Sequence, residues 1–443
     1  MALNYVFIGF FGIAFIMALY KYFIEGVDIF SDLVQRTFND AELGAEICIG
    51  FIGVFTLWMG IMKIGEKGGA IRILSRLVAP FFNRIFPELP KNHPVFGSMI
   101  MNFSANMLGL DNAATPMGLK AIKELQELNP DKATASNAQI MFLVLNTSGL
   151  TLIPISILAL RFKKLSANAE LHDGLSLAAS STDVFVPILL TTFFSSMVGI
   201  IAVSLIQKIN LLKPIVLAYL GTLSLIVSGV IWHFSDLPQD QVQSQSTLLA
   251  GVILMTFIIG FIALAIRNRV NVYDSFLEGA KEGFKSAISI IPYLVGILVA
   301  IGLFRECGAL DLILDGIGYI VVGISDLFGL SNPPPFNTVP EFVNGLPTAI
   351  MKPLSGGGAR AAMIETMDAF PLIEKDGKLI ESFPSFLSGV FQGSTETTFY
   401  VLAVYFGSVG IKNTRYALGA GLLADFSGII AAIIISYMFY AYW

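Results

Sequence analysis

Four polar segments interrupt apolar stretches of this chain, and they contain the residues with the clearest potential for chemistry. Two are NFSANMLGLDNAATPMGLKAI from Asn102 and KPLSGGGARAAMIETM from Lys352. The other two are NTSGLT (146–151) and QGSTETT (392–398). A carboxylate inside a membrane segment is costly and marks a functional site by default. Glu396 is therefore predicted to bind a donor group of a substrate, to coordinate Na⁺ or to carry a proton.

The first segment is predicted to form a helical hairpin whose turn binds an anion. Asp111 or Asn112 is suited to capping a new helix, and Pro116 fits its first turn. The start of a helix attracts negative charge. Asn102 and Asn106 lie one helical turn apart and can offer amides to the same space. The alternative is that Asp111 only caps the helix and that the asparagines only close the turn.

The second segment is its predicted counterpart. Ser355 and the three following glycines let the backbone turn and expose successive N–H groups. A helix is expected from Ala359, with Arg360 in its first turn, where a cation is favourable if it binds a carboxylate or phosphate. The alternative is that Arg360 pairs with a nearby acid or reaches lipid headgroups. The glycine run lacks the Gly-Lys-Ser/Thr pattern of a nucleotide-binding loop.

The remaining two segments place hydroxyl and amide groups near the middle of predicted crossings. A single Ser or Thr there often bonds only to its own helix. Asp425 is a second acid inside an apolar segment and shares with Glu396 the prediction of a coupling-ion site. Its alternative role is to pair with Arg360 or a neighbouring hydroxyl. The predicted substrate-binding residues are Asn102, Asn106, Asp111, Asn112, Thr115, Asn146, Thr147, Ser148, Ser355, Gly356, Gly357, Arg360, Gln392, Ser394, Thr395 and Glu396.

The composition indicates a protein of the membrane. The 443 residues are 55% hydrophobic and 13% charged, with a mean hydropathy of +0.74. Soluble domains carry about 25% charged residues, and several windows here are apolar over a length that crosses a bilayer. The net charge of −5 is thinly spread, so a nucleic-acid partner is not expected. Neither a metal-spaced His/Cys cluster nor a catalytic constellation is present in the sequence, so no enzyme, metal or cofactor is expected.

The predicted fold is an all-α polytopic membrane protein with two inverted-topology repeats, broken or re-entrant helices and about nine full crossings. The crossings are expected at about 4–21, 45–62, 138–160, 184–207, 215–234, 247–266, 286–304, 383–405 and 416–440. Segments 97–127 and 345–367 are predicted to re-enter the membrane as two short helices joined by an unwound turn. Segment 68–89 is predicted to be an amphipathic helix in the interface.

The repeats are predicted from matching segments. FLVLNTSGLT (142–151) matches GVFQGSTETT (389–398), and FFSSMVGIIA (193–202) matches LLADFSGIIA (422–431). The predicted domains are a first helix with an interfacial segment at 1–43, repeat 1 at 44–210, connecting helices at 211–278 and repeat 2 at 279–443.

The two repeats are expected to have opposite orientations, because matching segments differ in positive charge. Segment 63–91 holds six Lys and Arg residues, whereas 305–341 holds only Arg305. The N-terminus is then cytoplasmic and the C-terminus outside. Arg161, Lys163 and Lys164 disagree with this trace: either they snorkel at the interface, or the trace is wrong there.

The sequence resembles a fusion of spore maturation proteins A and B. NHPVFGSMIMNFSANMLGLDNAATPMGLKAIKELQ and MFLVLNTSGLTLIP resemble protein A, and GLPTAIMKPLSGGGARAAMIETM and GVFQGSTETTFYVLAVYFG resemble protein B. Both belong to the nucleoside-recognition (Gate) domain family, which is similar to the membrane domains of concentrative nucleoside transporters and ferrous-iron transporters. The resemblance implies paired gate-like repeats in a bacterial inner membrane. The two cysteines are not arranged as the metal path of the iron transporters.

The leading hypothesis is a secondary transporter of a small polar, anionic metabolite, such as a carboxylate or amino acid, coupled to Na⁺ or H⁺ and working by alternating access. The first alternative is a nucleoside transporter. The second is a membrane scaffold or sensor that recognises a ligand without transporting it and is linked to spore-type maturation. The expected partners are a small-molecule substrate and the lipid bilayer, and a homo-oligomer is left open.

Overall fold

The computed structural model describes residues 2–90, 93–108, 111–170, 175–235, 237, 239–327, 340–375 and 377–440. The helices are α1 (Ala2–Tyr20, continued by a π-helical turn Lys21–Glu25), α2 (Phe30–Gly68), α3 (Ala70–Ile85), α4 (Val95–Met107), α5 (Asp111–Leu128), α6 (Asn137–Thr147), α7 (Ile155–Glu170), α8 (Phe185–Gln207), α9 (Pro214–Ser235), α10 (Gln239–Arg267), α11 (Val272–Glu306), α12 (Ala309–Leu327), α13 (Phe342–Met351), α14 (Gly356–Ala369), α15 (Phe383–Ser394), α16 (Thr398–Ser408) and α17 (Ala417–Phe439).

Among the described residues, five helical segments have the length and apolar composition of a membrane span. They are Phe7–Glu25, Phe185–Gln207, Pro214–Ser235, Ser244–Arg267 and Ala417–Phe439. The prediction of a predominantly helical membrane protein is therefore confirmed. The number of nine crossings and the inverted relation of the repeats stay predictions.

A small sheet is the exception to the helical fold. Its strands are β1 (Ser176–Leu177), β2 (Ile373–Lys375) and β3 (Lys378–Ile380), in the order β1-β3-β2. β1 pairs parallel to β3, and β2 pairs antiparallel to it. The strands are only two or three residues long, so the fold remains in the predicted all-α class.

Two predicted crossings are broken where the sequence analysis treated them as continuous. The segment 138–160 is divided between α6 and α7, and the segment 383–405 between α15 and α16. Pro154, one residue before α7, lacks the amide that a continuous helix would need. Thr395 and Thr397 are β-branched residues beside the second break, which lowers their helix propensity. The predicted crossings 45–62 and 286–304 lie inside longer helices, α2 of 39 residues and α11 of 35 residues.

Both predicted re-entrant segments contain two successive short helices, as expected. α4 is followed by α5, and α13 by α14. Whether these helical pairs enter the membrane stays a prediction. The amphipathic segment forms α3, in which Val78, Phe82 and Ile85 are buried while Arg72 and Arg76 are exposed. This separation is the one expected of an amphipathic helix, and its interfacial position stays a prediction.

The chain divides into two compact units, which we describe separately. Unit 1 comprises 1–52, 160–179 and 285–392, and unit 2 comprises 53–159, 180–284 and 393–443. In unit 1, the buried core includes Leu33, Phe304 and Leu310. In unit 2, it includes Phe82 and Phe142. The predicted repeat boundaries concern sequence similarity and stay a prediction.

Glycines allow close helix packing in unit 2. A Cβ on Gly283 of α11 would lie 2.6 Å from the carbonyl oxygen of Phe55 in α2, and one on Gly279 would meet the Met59 carbonyl. Small residues let membrane helices approach at backbone distance. The segment of α11 at 272–284 therefore packs directly on the backbone of α2.

Candidate functional site

Two broken helices of unit 2 touch at their breaks. The backbone N–H of Glu396 donates to the carbonyl oxygen of Thr147 over 2.8 Å. A Cβ on Gly149 would lie 3.3 Å from Glu396 Cγ. Helix ends leave backbone groups without a partner inside the helix. Here the carbonyl at the end of α6 accepts from the amide of Glu396, two residues before α16 begins. Unwound backbone is thus concentrated at one place within unit 2.

Helices α8 and α17 pack against these breaks through glycines. A Cβ on Gly199 of α8 would lie 3.4 Å from Ser148 Oγ, and one on Gly428 of α17 would lie 2.7 Å from Thr395 Cγ2. The Ser196 hydroxyl donates to the Ser148 carbonyl oxygen over 2.8 Å. Each break is therefore enclosed by a closely approaching helix.

A chain of uncharged polar groups lies beside the breaks. Asn106 Nδ2 donates to Asn146 Oδ1 over 2.8 Å, and the Tyr405 hydroxyl donates to the same oxygen over 3.4 Å. Asn102 Nδ2 donates to the Ala114 carbonyl oxygen over 2.8 Å and to Tyr405 Oη over 3.3 Å. Asn102, Asn106 and Asn146, three of the four asparagines of the sequence prediction, are therefore brought together.

Tyr405 joins these asparagines, and the sequence analysis missed it. Its hydroxyl packs over Gly118, where a side chain would collide with it. Its ring stacks on Phe142, with centroids 5.8 Å apart. The sequence did not single out Tyr405 as a site residue, because aromatic residues near the end of an apolar helix are common for packing alone.

Asn102 has a buried acceptor that its neighbours leave unused. Its side chain is 0% exposed, and Oδ1 has no hydrogen-bond partner among the described residues. The amide orientation follows from the Ala114 carbonyl, which requires the nitrogen on that side. A buried unpaired acceptor costs about 1–3 kcal/mol, and a ligand that supplies a donor would remove that cost.

Several predicted hydroxyl groups bond to their own helix. The Thr147 and Ser148 hydroxyls donate to the Val144 carbonyl over 3.1 and 2.8 Å. Local bonds of this kind are the usual role of Ser and Thr inside helices. Thr147 therefore contributes its backbone carbonyl to the contact between the breaks. Ser394 and Thr395 are buried at the second break.

The two acids considered for a coupling ion both lie in unit 2. Glu396 is half-buried at the second break, and Asp425 is 2% exposed. Asp425 Oδ2 accepts from the Thr398 hydroxyl over 2.7 Å, so the alternative role as partner of a hydroxyl is observed. Ion binding at either acid stays a prediction. Among the described residues, no group of three or more His, Cys, Asp and Glu side chains could hold a metal ion.

The predicted anion turn of the first hairpin is described only in part. α5 begins at Asp111, so Asp111 and Asn112 lie inside the helix instead of capping it, and Pro116 lies in the second turn; the predicted helix start was one or two residues too late. The side chains of Asp111 and Asn112 lie outside the described residues. Thr115 is half-buried in the second turn.

The second hairpin belongs to unit 1, and its helix begins earlier than predicted. Ser355 caps α14, and its Oγ accepts from the Gly358 amide over 3.0 Å. Gly356 and Gly357 already form the first turn, so Arg360 lies in the second turn and its placement in the first was wrong. The side-chain cap explains the shift, because it stabilises a helix that the glycines alone disfavour.

Two polar groups near this helix start are available to a ligand. Gln392 Nε2 donates to the Gly356 carbonyl oxygen over 3.5 Å. Arg360 Nε and Gln392 Oε1 are buried and have no hydrogen-bond partner in the part of the chain that the structure describes. Arg360 supplies a positive charge, and Gln392 supplies an acceptor.

Buried ion pairs in unit 1 were not expected from the sequence. Arg161 is 0% exposed and its two terminal nitrogens donate to Glu381 Oε1 and Oε2 over 2.7 Å each. Lys164 pairs with Asp368. Arg161 and Lys164 therefore do not snorkel to headgroups. Pairs separated by about 200 residues leave no periodic signal in one sequence, so they could not be found from spacing.

The sequence of this chain is similar to known proteins in three comparisons. A family model described as nucleoside recognition (Gate) matches residues 48–163, the range that contains the three asparagines and the first break. The chain is 36% identical over 170 residues to spore maturation protein A of Bacillus subtilis (strain 168), covering 38% of this chain and 81% of that protein. It is 42% identical over 187 residues to spore maturation protein B of the same organism, covering 42% of this chain and 92% of that protein.

Proposed function

This chain belongs to the family of spore maturation proteins A and B, in a fused A/B-like form, and from that premise we propose that it is a secondary transporter of a small polar metabolite. The single observation that carries the proposal is the contact between two helix breaks beside a buried, unused acceptor. In transporters, discontinuous helices supply backbone and side-chain groups to a substrate site near mid-membrane.

The packing of the two breaks supports a functional duplication. Gly199 and Gly428 occupy matching positions in FFSSMVGIIA and LLADFSGIIA. Ser148 and Thr395 occupy matching positions in the break segments. Gly199 packs on Ser148, and Gly428 packs on Thr395. Equivalent contacts in two sequence repeats are expected if two gates related by a pseudo-two-fold axis alternate in opening.

For the substrate, we propose an anion that also carries a hydrogen-bond donor, such as an amino acid. Within unit 1, Arg360 would bind the acidic group through charge-assisted hydrogen bonds, and Gln392 Oε1 would accept from the donor. Asn102 Oδ1 is assigned separately, as an acceptor for a donor group in unit 2. Glu396 and Asp425 remain the proposed coupling-ion residues, for Na⁺ or H⁺.

A nucleoside is the second candidate substrate, and a different observation favours it. The polar groups joined in unit 2 are the amides of Asn102, Asn106 and Asn146 and the hydroxyl of Tyr405. Uncharged amides match the donors and acceptors of a nucleobase. The family model that matches this region is also described as nucleoside recognition.

The test is uptake by purified full-length protein in liposomes. The panel contains labelled amino acids, dicarboxylates and nucleosides, with imposed Na⁺ and H⁺ gradients in separate runs. Asn102→Ala should lower the uptake of the accepted substrate, whereas Asn210→Ala, at an exposed loop position, should leave it unchanged. Binding without flux across the whole panel would instead support a membrane scaffold or sensor.

A further inference from the structure

A charge cluster in unit 1 joins three helices. It consists of Arg36 and Asp40 on α2, Arg305 and Glu306 on α11, and Glu365 on α14. Arg36 Nη2 donates to both Glu365 oxygens over 2.8 and 2.7 Å. Arg36 Nε donates to Asp40 Oδ2 over 3.0 Å.

The cluster contains more acids than bases. Arg305 Nε lies 3.3 Å from Glu365 Oε1, and Arg36 Nη1 lies 4.0 Å from Glu306 Oε2. Two guanidinium groups therefore face three carboxylates. Excess negative charge is costly where a carboxylate has lost its hydration, as Asp40 and Glu365 have. Binding one proton removes this excess.

Asp368 and Lys164 are the remaining charged groups near the cluster. Asp368 lies on α14, the helix that carries Glu365, and adds negative charge near Asp40. Its ion pair with Lys164 of α7 offsets that charge. The surplus carboxylate therefore stays within the cluster.

The surroundings of the three acids indicate which one binds the proton. Glu365 accepts two hydrogen bonds from Arg36 and lies beside Arg305. Glu306 is partly hydrated, because its side chain is 38% exposed. Asp40 is 2% exposed and shares its one bonded guanidinium with Glu365. Asp40 is the acid with the least compensation for its charge.

Gly302 of α11 keeps the Asp40 carboxylate in this position. A Cβ on Gly302 would collide with Asp40 Oδ2 and would lie 3.1 Å from Arg36 Nε. The carboxylate therefore packs against the backbone of α11. Burial raises the pKa of Asp40 to about 6, against the opposing attraction of Arg36. Asp40 lies outside the predicted crossing 45–62.

We propose that Asp40 is a proton-binding site of unit 1, neutral in weakly acidic solution and ionised near neutral pH. Loss of the proton leaves Asp40 competing with Glu365 for Arg36, and so changes the ion pairing between α2 and α14. The use of this proton as the coupling ion rests on the proposed transport function, whereas proton binding does not.

The first experiment measures thermal unfolding of purified full-length protein in detergent between pH 4.5 and 8. Asp40→Asn removes the titrating group and keeps an oxygen that can accept from Arg36. Asp32→Asn is the matched control, because Asp32 is an exposed residue of the same helix. We expect the wild type to lose stability relative to Asp40→Asn as the pH rises through about 6, and Asp32→Asn to follow the wild type. A difference between wild type and Asp40→Asn that does not change with pH overturns the proposal.

A second variant keeps the proposal testable if Asp40→Asn does not fold. Glu365→Gln removes one neighbouring negative charge and frees Arg36 for Asp40, so Asp40 should ionise at lower pH. Infrared spectra should show the protonated carboxylic acid band at pH 5 in the wild type and a weaker band in Glu365→Gln. The same band in both proteins overturns the assignment.

Different results would overturn the proposed transport function and the proposed proton-binding site. Liposomes that show no uptake of any solute, together with a pH-dependent difference for Asp40→Asn, would remove the transport function and leave the proton site. Uptake that proceeds normally in Asp40→Asn, with the same stability difference, would leave both proposals standing and remove only the role of this proton in coupling.

Discussion

Glu396 and Thr147 are joined through their backbones: the Glu396 amide donates to the Thr147 carbonyl oxygen over 2.8 Å. The bond ties the end of α6 to the start of α16, although the two residues belong to different predicted repeats. It places the Glu396 side chain beside Gly149, where only a residue without Cβ fits comfortably.

We expect Glu396→Gln to abolish ion-coupled uptake in liposomes while retaining substrate binding. The substitution removes the charge needed to hold Na⁺ or a proton and preserves the size of the side chain. Binding is measured by thermal shift and uptake by radiolabel. Glu374→Gln, on the exposed strand β2, is the control and should transport normally. Normal coupled uptake by Glu396→Gln would exclude Glu396 as the coupling residue.

Arg360→Ala should weaken binding of anionic substrates by about 10- to 100-fold, because a charge-assisted hydrogen bond contributes about 1.5–3 kcal/mol. Binding of nucleosides should be unchanged. Titration calorimetry with both ligand classes measures the difference. The control is Arg267→Ala, an exposed arginine of α10. An equal loss for both classes would point to a structural role for Arg360, and no loss for either would remove it from the site.

Gly428→Ala should destabilise the protein by about 1–3 kcal/mol, because the new methyl group would overlap Thr395 Cγ2 at 2.7 Å. Gly199→Ala, at the matching position, should also be destabilising, since its added methyl group would lie 2.9 Å from Val144 Cγ1 and 3.4 Å from Ser148 Oγ. Gly221→Ala is the control, with nothing within 4 Å of its added methyl group. Denaturant unfolding gives the order of stabilities. If Gly428→Ala unfolds like Gly221→Ala, the close packing on the second break is wrong.

Arg161→Met should destabilise unit 1 by about 3–5 kcal/mol, because it leaves the Glu381 carboxylate buried without its bidentate partner. Arg161→Met combined with Glu381→Leu should recover much of the loss, since two apolar groups need no compensation. Chemical denaturation of the single and double variants measures the coupling. Additive losses in the double variant would contradict the ion pair.

The proton on Asp40 should stabilise the folded protein at low pH. The native pKa of about 6 exceeds the ordinary 3.8, so the folded protein holds more protons than the unfolded chain between these values. Stability is then highest at low pH and falls as the pH rises to about 6. A pKa difference of about two between the folded and the unfolded state corresponds to about 3 kcal/mol in the free energy of unfolding. The free energy of unfolding of wild type minus that of Asp40→Asn should change by up to this amount.

Local sequence signals predicted where the two breaks lie, but they did not predict that the helices end there. Gly149 and the hydroxyl residues around it identified the first break as a polar interruption, but the apolar residues on both sides favoured one continuous crossing. Pro154 was the local signal for a new helix. At the second hairpin, the glycines obscured a helix start that Ser355 stabilises by capping.

Long-range relationships were beyond reach from one sequence. Asn102, Asn106 and Asn146 were singled out by residue type, and their convergence in unit 2 needed the packing of α4 against α6. Tyr405 joins them through a hydroxyl whose partners lie about 260 and 300 residues away. The pairing of Arg36 with Glu365 spans 329 residues. Such contacts depend on tertiary packing, which periodicity does not encode.

The buried pairing of Arg161 with Glu381 has a consequence for membrane topology. Sorting by the translocation machinery depends on cations that remain charged and accessible in short flanking loops. That sorting precedes the pairing of Arg161 with Glu381, which lies 220 residues further along the chain. In the folded protein the guanidinium of Arg161 and the neighbouring ammonium of Lys164 beside Asp368 are paired within unit 1. Neither cation therefore needs lipid headgroups on either face, and the orientation of this segment stays a prediction.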